Sequence, residues 1–75
     1  MRTWEVFDVV GNEKWGVGTY RGAGPQDALE AFLRDAGFAG AKPTHIREVG
    51  GFAEFKVRFP RERETKVYAV REEEE

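Results

Sequence analysis

Apolar residues recur at helical spacing in one stretch of the chain, residues 24–38. Pro25 suits the first helical turn, because its missing N–H would have no partner there. Gly37 can adopt the left-handed conformation that ends a helix, which brings Leu33 and Phe38 into contact. One face of this predicted helix is apolar and must pack against the rest of the protein. That face consists of Ala28, Leu29, Phe32, Leu33 and Ala36.

The segments on both sides of the helix are rich in β-branched and aromatic residues, which favours strands. Turn residues separate them, with Gly11 and Asn12 in the first turn and Gly50 and Gly51 in a later one. Strands joined by short turns are antiparallel neighbours. The sequence therefore predicts an α+β fold of order ββαβββ, an antiparallel sheet with one helix packed on one face. The predicted strands are residues 3–10, 15–21, 44–49, 52–59 and 65–70.

The first two strands form a hairpin, and we place its tip at residues 12–13. In this register Val10 faces Trp15 and Phe7 faces Gly18. Glycines inside a strand leave space for a neighbouring group, and we expect the ring of Phe7 to fill it. One side of the hairpin then carries both tryptophans, and the other carries Phe7, Val9 and Tyr20.

A single helix covers one face of a sheet, so an apolar face of this hairpin is left to water or to a partner. Exposed apolar patches commonly mark interfaces, and tryptophan is enriched at their centres. We therefore expect a protein interface on the side that carries the tryptophans. Its residues are Trp4, Val6, Val10, Trp15 and Val17.

A second hairpin follows the helix, with residues 50–51 as its turn. In this register Ile46 faces Phe55, and Arg47 faces Glu54. The alternation along the next strands puts one set of apolar residues on the inner face. That set is Ala53, Phe55, Val57 and Phe59, joined by Val67 and Ala69.

The outer face of the last three strands mixes cations with aromatic rings. Such a mixture is typical of single-stranded nucleic-acid platforms, where cations hold phosphates and rings stack on bases. Glu48 and Glu54 dilute the positive field. The candidate nucleic-acid residues are Arg47, Phe52, Lys56, Arg58, Lys66 and Tyr68.

The composition of the chain excludes several classes of function. A chain of 75 residues forms one domain, for which we expect residues 1–71, followed by a disordered acidic tail at 72–75. With no cysteine and a single histidine, the chain lacks the usual metal-ligand clusters. No apolar run is long enough to cross a membrane, and the N-terminus has no apolar signal-peptide core, so we expect a cytoplasmic protein without membrane or metal partners.

Candidate catalytic residues are few. His45 is predicted to project outward opposite Lys56, and the chain has no cysteine or serine for it to activate. Asp8 is predicted to lie at an edge or to pair with a base, without a second acid for acid–base chemistry. A dinucleotide fingerprint would need a glycine where Arg21 stands. We expect no enzyme activity and no cofactor.

Residues 4–7, Trp-Glu-Val-Phe, are followed by Val-Gly-Thr at 17–19 and by Ala-Leu at 28–29 inside the helix. This run resembles the opening of the small B subunit of bacterial phenylacetyl-CoA epoxygenase complexes. That family is a non-catalytic, bridging subunit built on a similar hairpin and helix. The resemblance covers less than half of the chain and ends at Phe38, and it implies a binding role without implying a substrate.

The sequence therefore predicts a small non-enzymatic interaction or accessory module. The leading expectation is a homodimer or an accessory subunit of another protein, associating through the apolar face of the first hairpin or through an open edge strand. The alternative is a single-stranded nucleic-acid-binding module that uses the outer face of the last three strands.

Overall fold

A computed structural model describes residues 1–38, 40–62 and 64–73. Its elements are β1 (Arg2–Val10), β2 (Glu13–Gly22), α1 (Pro25–Asp35), β3 (Lys42–Val49), β4 (Phe52–Arg58) and β5 (Thr65–Glu72). All five strands belong to one antiparallel sheet in the order β2-β1-β5-β4-β3. The predicted α+β fold of order ββαβββ is confirmed.

The last strand, β5, occupies the centre of the sheet. It pairs with β1 on one side and with β4 on the other. The first hairpin and the later strands are therefore joined by the C-terminal segment of the chain. Both edges of the sheet, β2 and β3, are the strands next to the helix in sequence.

The helix begins and ends where its sequence signals predict. Pro25 stands at its start, and after Asp35 the backbone closes in a Schellman motif. In this motif the Phe38 N–H donates to the Leu33 carbonyl at 2.8 Å, and the Gly37 N–H donates to the Arg34 carbonyl at 3.1 Å. The buried face is Ala28, Leu29, Phe32 and Leu33.

The core lies between the helix and one face of the sheet. The helix contacts both edge strands. Because α1 connects β2 to β3, it leads across the covered face from one edge of the sheet to the other. The buried side chains that the sheet contributes are Trp4, Val6, Ala53, Phe55, Val57, Phe59, Tyr68 and Val70.

The register of the first hairpin differs from the prediction. Its turn is Gly11 and Asn12, with Gly11 at a φ of +60°. Phe7 consequently pairs with Gly16, where the expected contact of its ring with a glycine does occur. A bulge between Val6 and Phe7 then shifts the pairing by one residue. The extra residue is Val17, and the two glycines beside it, Gly16 and Gly18, were the signal for a bulge that the prediction took only as space for a ring.

The bulge moves Tyr20 to the face that the helix covers, opposite Trp4. Its ring packs against Phe32 with centroids 5.9 Å apart. Its hydroxyl donates a hydrogen bond to Asp35 at 2.8 Å, and this bond raises the pKa of Tyr20. The prediction that Tyr20 shares a face with Phe7 is therefore wrong.

The second hairpin follows its predicted register only near the turn. Arg47 faces Glu54 as expected, and both turn glycines have positive φ. A bulge between His45 and Arg47 then pairs His45, and not Ile46, with Phe55. His45 therefore lies on the helix side of the sheet, with its ring 5.3 Å from that of Phe55, and not opposite Lys56.

The register of β5 is also one residue away from the prediction. Tyr68 and Val70 face the helix, whereas Val67 and Ala69 point to the other side. Tyr68 gains a contact with Phe32, with ring centroids 5.5 Å apart. The predicted inner positions of β4 are confirmed.

In the predicted acidic tail, Glu72 belongs to β5, the Glu73 N–H donates to the Thr3 carbonyl at 2.9 Å, and residues 74–75 lie outside the described residues.

Gly22 and Gly16 provide a matched test of how closely the helix N-terminus packs against β2. A Cβ on Gly22 would lie 2.9 Å from the Ala28 nitrogen, which is helix backbone and cannot yield easily. A Cβ on Gly16 would lie 3.8 Å from the Phe7 ring, an ordinary contact. We expect Gly22→Ala to lower the free energy of unfolding by about 1–3 kcal/mol. Gly16→Ala should leave it unchanged or raise it by up to about 1 kcal/mol.

Urea denaturation of the two variants measures this difference. Equal stabilities for both variants would contradict the close approach of the helix N-terminus to Gly22.

Candidate nucleic-acid interface

The sheet has a second face, turned away from the helix, which we call the open face. Cross-strand pairing and strand alternation assign to it the positions that alternate with the helix-side ones, such as Phe7 on β1, Val67 on β5 and Lys56 on β4. At its centre lie apolar side chains that are half-buried, except for Ala69, which is fully buried. These are Phe7, Val9, Phe52, Val67 and Ala69.

Charge is segregated between the two sides of the protein. The net charge of −2 is a sum over the whole chain, so it does not indicate this segregation. The open face carries the cations Lys14, Arg21, Lys42, Arg47, Lys56, Arg58 and Arg71, against the acids Glu5 and Glu54. The helix and its side of the sheet carry the acids Asp8, Glu13, Asp27, Glu30, Asp35, Glu48 and Glu72, against the cations Arg2, Arg34 and Lys66.

Both acids of the open face are paired with arginines. The Arg47 Nε donates to Glu54 Oε1 at 2.6 Å, and the Glu54 residue is only 6% exposed. The Arg71 Nε donates to Glu5 Oε1 at 3.3 Å. Among the described residues, the remaining cations of this face have no carboxylate within ion-pair distance, so they contribute most of its positive field.

The two aromatic rings of the open face form one cluster. Phe7 and Phe52 pack edge-to-face, with centroids 5.5 Å apart. The Arg71 guanidinium lies over both rings, 5.3 Å from the centroid of Phe7 and 5.1 Å from that of Phe52. The Lys14 ammonium lies 4.8 Å from the centroid of Phe52. The cation side chains thus cover part of the apolar surface that the helix cannot reach.

One row of cross-strand neighbours runs across the whole open face. Lys14 pairs with Val9, and Val9 pairs with Val67. Val67 pairs in turn with Lys56, and Lys56 pairs with Thr44. An apolar stripe in the middle of the sheet is therefore flanked by cations on both sides.

The structure separates the predicted nucleic-acid residues into two groups. Arg47, Phe52, Lys56 and Arg58 do lie on the open face. Lys66 and Tyr68 do not, because β5 is shifted by one residue from its predicted register and both face the helix side. These two assignments are corrected.

Lys66 and Tyr68 are parts of a structural cluster. Tyr68 is 3% exposed, and burial raises the pKa of its phenol. The Lys66 Nζ donates to Asp8 Oδ2 at 2.7 Å, and this hydrogen bond raises the pKa of Lys66. The expected pairing of Asp8 with a base is confirmed.

Sequence reasoning missed Phe7, Lys14 and Arg71 as members of this surface. Phe7 and Lys14 lie on the first hairpin, which joins the later strands only through the β1–β5 pairing. Arg71 lies beyond the predicted end of the last strand. The run from Val67 to Val70 is apolar or aromatic throughout, so alternation could not show which of its residues share a face with Arg71.

The residues of the predicted protein interface fall into a buried group and an exposed group. Trp4 is 7% exposed and Val6 is fully buried under the helix, and the Trp4 Nε1 donates to the Gly22 carbonyl at 3.0 Å. Both are core residues, so their assignment to an exposed interface is corrected. Trp15 is 59% exposed, and Val10 and Val17 are also exposed. We call these three residues the Trp15 patch.

The candidate catalytic residues are not brought together. His45 lies on the edge strand β3, and Asp8 lies on β1, with β4 and β5 between them. Within residues 1–38, 40–62 and 64–73, no group of three His, Cys, Asp or Glu side chains is arranged to hold a metal ion. No helix in this part of the chain is long and apolar enough to cross a membrane.

Comparisons with protein-family models, with curated proteins and with solved structures find no match to this chain. The resemblance of its opening to the small subunit of phenylacetyl-CoA epoxygenase complexes therefore stays a prediction. The interpretation of the open face depends on its own geometry and charge.

Proposed function

We propose that the protein is a non-catalytic binding module and that its open face binds single-stranded nucleic acid. The observation that carries the proposal is the segregation of charge, with unpaired cations around an apolar aromatic centre. Phosphate contacts from Lys and Arg supply most of the affinity of such complexes. Apolar and aromatic surfaces supply the contacts with bases.

The arrangement of the open face suits an unpaired strand. Val9 and Val67 form the middle of the cross-strand row, with Lys14 at one end and Lys56 near the other. A single strand can place its base faces on such a stripe while its phosphates reach the flanking cations. A duplex hides its base faces by stacking, so it would use only the cations.

The proposal predicts little sequence preference. Among the residues that project from the centre of this face, Phe7, Val9, Phe52 and Val67 offer no hydrogen-bonding groups to base edges. Recognition by stacking and phosphate contacts is tolerant of sequence, because every base has a π face.

A charge reversal on each side of the protein tests the proposal. Arg58 on the open face and Arg34 on the helix are both exposed, so Arg58→Glu and Arg34→Glu make the same change in net charge. We expect Arg58→Glu to weaken the binding of a fluorescent 15-mer of deoxythymidine roughly five- to tenfold at low salt. It should also reduce the slope of log K against log salt by about 0.7, the share of one lost phosphate contact.

Fluorescence anisotropy at several salt concentrations provides the measurement, and thermal melting checks that both variants are folded. Arg34→Glu should change the affinity less than twofold. Absence of binding by the wild-type protein at low salt, or equal losses in the two variants, would contradict the proposal.

The Trp15 patch supports a second candidate function, self-association or binding of a protein partner. Trp15 is more than half exposed on the edge strand β2, next to exposed Val10 and Val17. The bulge in this strand interrupts the row of backbone groups that a second sheet would need for pairing. We therefore propose that such a contact would use the side chains of the patch.

For this candidate we expect Trp15→Glu to abolish any concentration-dependent increase in the sedimentation coefficient of the wild type. Ile46→Glu is the matched control, since Ile46 is an exposed apolar residue on the opposite edge strand. A wild-type protein that stays monomeric at high concentration would exclude self-association. The same loss in both variants would exclude a specific role for Trp15.

A further inference from the structure

We propose that Arg71 is the base-stacking residue of the open face and that Glu5 positions it. This inference rests on the proposed function, and it names the residue that would distinguish a nucleic acid from any other polyanion. It follows from the cluster of Arg71, Glu5, Phe7 and Phe52.

The guanidinium of Arg71 is held from two sides. Phe7 and Phe52 support it at 5.3 and 5.1 Å from their centroids. The Glu5 carboxylate accepts a hydrogen bond from its Nε at 3.3 Å, on the adjacent strand β1. The Arg71 side chain is nonetheless 47% exposed, so part of the planar group remains accessible to a ligand. A guanidinium plane stacks on aromatic systems and retains its charge.

Arg71 is a better stacking surface than the rings beneath it. Phe7 and Phe52 are half-buried, and their accessible area is shared with Arg71 and Lys14. A base that approaches the aromatic cluster therefore meets the guanidinium first. It can stack there without displacing the side chains that cover the rings.

The surroundings of Arg71 leave space for a base. A groove of about 480 Å³ lies beside it, lined by Glu5, Gly50, Gly51, Arg71 and Glu72. Both of its acids are paired with arginines, Glu5 with Arg71 at 3.3 Å and Glu72 with Arg2 at 3.7 Å. Three of the cations without carboxylate partners, Lys42, Lys56 and Arg58, lie at the other end of the open face, where phosphates would bind.

The test compares two ligands with the same charge, a 15-mer of deoxythymidine and an abasic 15-mer of the same backbone. We expect the wild type to bind the thymidine strand at least roughly fivefold more tightly, since stacking contributes on this scale for each base. Arg71→Lys keeps the charge but loses the plane. It should lower the affinity for the thymidine strand toward that for the abasic strand, whose own affinity changes less than twofold.

Arg47→Lys is the matched control, because Arg47 is the other carboxylate-paired arginine of the open face and lies over neither ring of its aromatic cluster. It should leave the ratio of the two affinities unchanged. Glu5→Gln removes the charged partner of Arg71, and we expect it to reduce the ratio without weakening the binding of the abasic strand.

The outcomes separate the two proposals. A ratio that survives Arg71→Lys, or a wild type that binds both strands equally, would overturn the role of Arg71 and leave the electrostatic proposal standing. Binding of neither strand at low salt would overturn the proposed function, and the role of Arg71 with it.

Discussion

One eleven-residue helix covers one face of a five-stranded sheet, and this constraint determines how the rest of the molecule is built. The covered face contains Trp4, Val6, Phe55 and Val70, which form the main core with the helix. The open face also carries apolar residues, because its central strands need a packed surface. The Arg71 guanidinium lies over Phe7 and Phe52, the Lys14 ammonium lies over Phe52, and these two cations cover part of that surface. The positive charge of the open face is therefore linked to the packing of its centre.

Both edges of the sheet carry a bulge. In β2 it leaves Val17 without a partner on β1, and in β3 it leaves Ile46 without a partner on β4. Bulges at sheet edges disturb the ladder and increase the local twist, and they discourage pairing with another chain. Two flat edge strands with exposed apolar residues would otherwise be sites of aggregation. The bulges leave the open face and the Trp15 patch as the surfaces best suited to specific contacts.

The sequence predicted the elements that depend on local signals. The ends of the helix are specified by Pro25 and Gly37, and the turn at Gly50 and Gly51 fixes the neighbouring pairs of β3 and β4. The predicted registers failed where the pairing is not local. Tyr68 faces the helix because β5 pairs with β1, a strand about sixty residues earlier in the chain. Four of the six candidate nucleic-acid residues lie together on the open face as predicted, whereas the residues that β1 and β2 add to this face could be found only from the order of the strands.

The central claim is that the open face, with Arg71 at its aromatic centre, is the binding surface. The most direct measurement is a titration of the ¹⁵N-labelled protein with the thymidine 15-mer, followed through its arginine Nε–H and tryptophan indole signals. The account predicts that the Arg71 Nε–H signal moves most, while the indole signals of Trp4 and Trp15 stay in place. Changes centred on the Trp15 indole, with the Arg71 signal unmoved, would contradict it.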